Sequence, residues 1–271
     1  MPAWLGFRQR PLHPLPRRAR FRLLGWLSNR PPNSKRIYVV RIVGQRFKRV
    51  VFPDAHQAEI AAARLEAFGP SGIYPALVLQ REGELLVEWI EGEPLREVDR
   101  EVVARLAELF AVLYAREPRI AAIGDTPFAW GLHRDLRFLR DVGVLAPGVH
   151  GVLDEIAHKL TPEQVWIGHD CTDAILKNFV RDERGSIRAI DVESLGADQL
   201  LGIGAAKAAV RWLGPLRSAF LAELRAREVP DFSAYFPFVE MCFVAFWQKS
   251  SFLEKKRRFV DPSLFDRFLG Q

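Results

Sequence analysis

Residues 37–43 (IYVVRIV) and 47–52 (FKRVVF) are two short apolar runs, rich in β-branched and aromatic side chains and separated by Gly44-Gln45. This pattern predicts a pair of strands. From 55 to 68 the period changes, with Ile60, Leu65 and Phe68 recurring among alanines, and a helix is expected. Residues 74–79 and 85–95, with Gly83 between them, predict a second strand pair. Residues 133–142 carry Leu136, Phe138 and Leu139 among charged neighbours, the mark of an amphipathic helix with solvated charges. Residues 178–190 then read as a strand, a polar turn containing Gly185, and a strand that ends at Asp191. Alanine-rich 200–213, amphipathic 216–227 and aromatic 236–252 predict three helices, the last belonging to the core. There is no internal repeat and no low-complexity block.

At 271 residues, 49% of them apolar, the chain can bury a sizeable core as one domain or two lobes. Its apolar stretches, including 236–247 with Glu240 inside it, fall short of the ~20 residues a membrane-spanning helix needs. The amino terminus is rich in arginine and proline and lacks the apolar centre of a secretory signal, so a cytoplasmic location is expected. Cys171 and Cys242 show no metal-ligand spacing and suggest no disulfide framework. The net charge of +6 is concentrated in residues 8–22 and 255–258. Such clusters suit phosphate groups of an anionic substrate or of the inner face of a membrane, or else are a solvated tail and helix face. Nucleic acid is an unlikely partner, because basic arms alone leave the acidic residues below without a role.

Those acidic residues lie in 165–195, VWIGHDCTDAILKNFVRDERGSIRAIDVESL. Phosphoryl transfer needs an oriented hydroxyl and metal ions that neutralise charge on the phosphates. Asp173 can accept the proton of an acceptor hydroxyl, while Asn178 and Asp191 offer Mg2+ an amide oxygen and a carboxylate. The predicted hairpin would bring these two ligands, thirteen positions apart, toward one ion. Taken singly, the three residues also suit a helix cap, a turn and a strand end. A P-loop is absent from the sequence.

The layout Asp-x-x-x-x-Asn, hairpin, Ile-Asp resembles the catalytic and metal-binding segments of the protein-kinase-like fold, in its aminoglycoside phosphotransferase and choline kinase branch. The likeness extends over roughly residues 35–215. It implies an α+β, two-lobed fold, with a small antiparallel-sheet lobe over 35–95, preceded by a basic arm or first strand over 1–34, and a helical lobe over 96–271. It implies ATP and Mg2+ as cofactors, and transfer of the γ-phosphoryl group to a hydroxyl of a small molecule or sugar, a lipopolysaccharide-core or phosphoglycan sugar among the candidates.

The resemblance also assigns residues. Backbone groups at Glu88, Trp89 and Ile90 would face the adenine. Lys48 would contact the phosphates, with Arg49 on the opposite strand face as its rival. Glu59 would brace the lysine, with Glu66 in reserve. Cys171 stands where the family has histidine, and Asp170 is a rival to Asp173 as base, although the five-residue step to Asn178 favours Asp173. Glu193 is a further candidate for a second metal ion or for a cap. His133-Arg134-Asp135-Leu136 spells the protein-kinase catalytic tetrad, but Arg140 stands where asparagine is needed, so these residues read as ordinary helix. A catalytically inactive binding protein on the same scaffold, a pseudokinase, is the alternative reading.

Overall fold

The computed structural model describes residues 9–11, 35–256 and 259–270. In chain order they form β1 (Gln9–Pro11), β2 (Arg36–Ile42), β3 (Gln45–Val51), α1 (Ala55–Phe68), β4 (Leu77–Arg81), β5 (Glu84–Glu88), β6 (Gly92–Pro94), α2 (Arg100–Tyr114) and β7 (Arg119–Ala122). There follow α3 (Phe128–Asp141), α4 (Pro147–Leu160), β8 (Gln164–Cys171), β9 (Phe179–Asp182), β10 (Ile187–Ala189), β11 (Leu195–Leu200), α5 (Ile203–Ala208), α6 (Arg217–Arg225), α7 (Phe236–Leu253) and α8 (Asp266–Leu269). Two compact units result, Met1–Glu93 with Phe179–Glu193, and Pro94–Asn178 with Ser194–Gln271.

The first unit is built on an antiparallel sheet of order β1-β2-β3-β5-β4. Both expected strand pairs are present as β2/β3 and β4/β5. Helix α1 begins at Asp54, whose side chain accepts from the amide of His56, and buries Ala58, Ala61, Ala62, Leu65 and Phe68. Three alanines on that face leave room for a close approach to the sheet, and Ile60 falls off it, 38% exposed. Of the basic arm, only the short strand β1 is described, and it pairs with Tyr38–Val40. The rest of the arm, and Arg257 and Arg258 of the second basic cluster, lie outside the described residues.

The β9/β10 hairpin belongs to this unit, not to the helical part of the chain as the sequence suggested. Arg188 explains the difference. Its guanidinium donates to the Gly72 carbonyl (2.6 Å), the Tyr74 carbonyl (3.0 Å) and both oxygens of Glu88 (2.8 and 2.7 Å). The Ala189 amide adds a bond to the Ile73 carbonyl at 2.8 Å. On the other side of the hairpin, β6 joins a small sheet of order β10-β9-β6. Gly92 makes that contact with φ +149°, and a Cβ there would meet the Arg181 carbonyl. Only glycine allows so close a backbone approach.

In the second unit, α7 is the buried centre, as its aromatic sequence predicted. The glutamate that interrupts its apolar run, Glu240, is 4% exposed and takes a two-pronged contact from Arg217 at 2.9 and 2.7 Å. Helix α3 is amphipathic as expected, but Asp135 is not solvated. It is buried and accepts from Lys249 at 2.6 Å and Arg134 at 2.9 Å. Strands β7, β8 and β11 form an antiparallel sheet of order β11-β8-β7. Residues 200–213 are not one helix: β11 ends at Leu200, Gly202 turns the chain with φ +96°, and only then does α5 begin, passing into a π-helical turn over Ala209–Leu213. Among the described residues, no helix is long and apolar enough to cross a membrane.

Arg188→Ala should lower the unfolding free energy by about 2 kcal/mol, because charged hydrogen bonds and two carbonyl partners are lost together. Arg188→Lys should restore less than half of it, since an ammonium cannot reproduce the fork. Urea unfolding curves of the three proteins check this.

Candidate active site

In the first unit, β3 directs Lys48 and Arg49 to opposite faces. Lys48 donates from Nζ to the Ile190 carbonyl at 2.7 Å, next to Asp191. Burial pulls its pKa down to about 8, against the opposing pull of the Asp191 charge. Arg49 is committed elsewhere, with two bonds to Glu84 (3.0 and 2.5 Å) and its guanidinium 5.8 Å from the centre of the Tyr38 ring. Of the two, Lys48 is thus the one on the side of the candidate metal carboxylate.

The expected brace from α1 is not made. Glu59 is 66% exposed and lies 3.7 Å from His56, because the helix turns its alanine face inward and Glu59 lies off that face. Glu66 is exposed as well. A residue that sequence reasoning passed over, Lys35, takes up the acids instead. It pairs with Glu193 and lies 3.9 Å from Asp191, its own side chain only 10% exposed.

The Glu88–Ile90 segment combines two environments. The Glu88 amide donates to the Ala76 carbonyl at 2.9 Å, and its carboxylate is held below the usual range, chiefly by the Arg188 hydrogen bonds. Trp89 lies 5.5 Å beneath the Arg46 guanidinium, and Ile90 is buried. A cavity of about 680 Å³ in this unit is lined by Glu88 and Trp89 together with Gly44, Arg46, Phe47 and Ala76, among others. Lys48, Ile90 and Asp191 are not part of its lining.

In the second unit, the loop after β8 carries Asp173 and Asn178. Asn178 donates from Nδ2 to the Asp173 carbonyl (2.9 Å) and to its carboxylate (3.0 Å), so the five-residue step closes into a ring. The Ile175 amide bonds back to the Asp173 carbonyl at 2.8 Å. Trp212 fixes the same loop through its Nε1 bond to the Ala174 carbonyl at 2.8 Å. The Asp173 carboxylate remains 41% exposed and is paired with Lys207. Arg211, one helical turn further along the chain, acts on Asp173 by its charge, and its guanidinium stacks 4.0 Å over Trp247. Burial draws the Arg211 pKa below its ordinary value.

Asp170 has a different environment. It is fully buried and accepts from the amides of Cys171 (2.6 Å), Gly202 (3.1 Å) and Gly204 (3.1 Å), and from the Tyr114 hydroxyl at 3.3 Å. Burial raises its pKa to about 7 in spite of these donors. A side chain at Gly204 would meet both Asp170 and the Cys171 carbonyl. A carboxylate so enclosed has no path to an acceptor hydroxyl, which makes Asp170 an anchor and leaves Asp173 as the exposed acid.

The amide oxygen of Asn178 in the second unit, and the carboxylates of Asp191 and Glu193 in the first, are each hard oxygen donors of the kind magnesium takes. Both bonds that Asn178 makes to Asp173 use the amide nitrogen, whereas magnesium binds the amide oxygen. Lys35, Lys207, Arg211 and Trp212 carry no spacing signal that ties them to the motif. They reach it through tertiary structure alone.

No family model matches the sequence, and no curated protein matches it. Solved structures do. A macrolide 2'-phosphotransferase of Brachybacterium faecium superposes with a TM-score of 0.63 at 12% identity, covering 97% of this chain and 90% of its own. An ethanolamine kinase of Plasmodium vivax gives 0.62 at 10% identity (97% and 81%), and a choline kinase of Streptococcus pneumoniae 0.61 at 14% identity (86% and 88%). The chain has the α+β, protein-kinase-like fold of these small-molecule kinases.

Asp170→Ala would strand three buried amide donors and should lower the unfolding free energy by about 3 kcal/mol or more. Asp173→Ala should change it by less than about 1 kcal/mol, since the Lys207 ion pair is part-exposed and Asn178 Nδ2 keeps its bond to the residue-173 carbonyl. Chemical denaturation of both variants is the check, and equal losses would refute the division into anchor and exposed acid. Lys48 supplies a pH signature. The unfolded side chain keeps its proton to about 10.5 and the folded one releases it near 8, so the unfolded state binds more protons within that window. Stability of the wild type relative to Lys48→Met should therefore rise with pH from about 8 to 10.5.

Proposed function

We propose that the protein transfers the γ-phosphoryl group of ATP to a hydroxyl of a small anionic molecule, a phosphorylated or acidic sugar being the class that fits best. The observation that carries this reading is the closed Asp173–Asn178 loop, in which the asparagine holds an exposed carboxylate in place. The fold adds to it, since the solved structures that share it are named as kinases or phosphotransferases of macrolides, ethanolamine and choline.

In this reading Asp173 orients the acceptor hydroxyl and takes its proton. Asn178 and Asp191 hold magnesium, which when bound neutralises charge on the phosphates. Lys48 binds phosphate oxygens as a compact cation. Backbone groups from Glu88 to Ile90 take the adenine, and Glu193 passes between Lys35 and a second metal ion.

What supports an anionic acceptor in this reading is the charge around Asp173. Lys207 and Arg211 place two cations beside the base. They would repel a quaternary ammonium or an aminoglycoside and would attract a phosphate or carboxylate. Cys171, in the position where relatives of this fold carry histidine, favours a second reading, a nucleotide-binding protein without turnover.

Magnesium and ATP together, at a hundredfold excess over Kd, should stabilise the protein by about 2.7 kcal/mol, seen as a rise in melting temperature that neither ligand gives alone. Asp191→Ala should abolish the magnesium-dependent part. Asp173→Asn should keep it and lower kcat by about 10²- to 10⁴-fold. A melting shift without phosphotransfer to any sugar phosphate or sugar acid would select the second reading, and no shift would sink both. With an anionic acceptor, Arg211→Gln should raise the acceptor KM about tenfold while leaving the ATP KM unchanged.

A further inference from the structure

The histidine of the false catalytic tetrad has a different use. His133 projects from α3 toward α4, where His150, Asp154 and His158 recur every four residues and so share one helix face. His133 Nδ1 lies 2.7 Å from Asp154 Oδ1, and His158 Nδ1 lies 3.9 Å from Asp154 Oδ2. The two imidazole rings are 4.2 Å apart, centre to centre. One ligand atom from each of His133, Asp154 and His158 falls within 4.8 Å of the others, in an arrangement none of the proposed phosphotransfer residues shares.

A hydrogen-bonded His–Asp pair accounts for His133 alone. It does not account for a second imidazole, that of His158, converging on the same carboxylate. A divalent cation would take a lone pair from each ring and a carboxylate oxygen. His158 Nδ1 lies 2.8 Å from the Asp154 carbonyl. A proton donated there would put the lone pair on Nε2, an outer support of the kind metal-binding histidines have.

His150 provides a second, separate observation. It is close enough to act on Asp154 by charge, and among the described residues its Nε2 is a buried side-chain atom with no hydrogen-bond partner. A buried ring nitrogen seldom lacks a partner, and water bound to a metal in the adjoining cluster would supply one.

The geometry points to a transition-metal site of the zinc class on the α3–α4 pair, with His133, Asp154 and His158 as ligands and water completing a tetrahedron. Two nitrogens and one oxygen suit zinc, nickel or copper and disfavour magnesium, which takes oxygen ligands. The site is therefore chemically distinct from the magnesium ligands Asn178 and Asp191. Bound metal would clamp two neighbouring helices of the second unit, and its open position leaves room for a further ligand.

The test is calorimetric titration of zinc chloride into the full chain in excess magnesium, with melting temperatures recorded alongside. The wild type should bind one zinc ion and melt higher with it, and Asp191→Ala should do the same. His158→Ala and Asp154→Asn should each weaken zinc binding by about tenfold or more and lose the melting shift. His158 is 68% exposed, so its replacement leaves the fold intact, and an unchanged zinc-free melting temperature verifies that. Zinc binding unaffected by both substitutions, or abolished by excess magnesium, would overturn the assignment, as would the absence of any zinc-dependent heat or melting shift in the wild type.

Discussion

A carboxylate removed from water must recover its hydration from fixed donors, and Asp170 does so with three backbone amides and a tyrosine hydroxyl. These donors come from the end of β8, from the turn before α5, from α5 itself and from α2. Their convergence fixes where β8 ends and hence where the Asp173 loop begins. It also explains the glycines. Gly202 turns the chain so that its amide can point inward, and Gly204 keeps the helix backbone against the carboxylate. Loss of this one charge would loosen the loop without touching any group assigned to chemistry.

The first unit relies on the same principle with the signs exchanged. Arg188 is a cation satisfied by two carbonyls and a carboxylate, and it holds the hairpin that leads into Asp191. Lys48 then closes on the Ile190 carbonyl. Rigid placement of the proposed metal carboxylate next to a partly desolvated lysine would suit a phosphate site, because electrostatic stabilisation is strongest where donors need not reorganise.

Much of this was legible in the chain. The strand pairs, α1, the aromatic core helix and the Asp173–Asn178 spacing follow from local period and turn chemistry. What escaped depends on distance in sequence. Glu59 looked like the brace for Lys48 because helical spacing cannot say which face a run of alanines turns inward. Residues 200–213 looked like one helix because alanine propensity hides the strand that Gly202 ends. Asp135 looked solvated, and its partner Lys249 lies 114 residues away. Lys207 and Arg211 reach Asp173 from some 35 residues downstream, a separation to which no short motif is sensitive. The missed residues are mostly charged, which is expected, since a buried charge needs a partner and the sequence does not say where it will be found.

The discontinuity of the first unit has a consequence for synthesis. Glu88 leaves the ribosome 100 residues before Arg188, a delay of roughly 5 to 20 s at ordinary translation rates. Throughout that interval the carbonyls of Gly72 and Tyr74 and the Glu88 carboxylate have no guanidinium, and the small sheet has no hairpin. The five-stranded sheet therefore emerges with all its strands but without the hairpin and guanidinium that complete the first unit. The nascent protein carries unpartnered carbonyls and an unpartnered carboxylate for those 100 residues of its synthesis, which is the period when assistance from a chaperone would matter most.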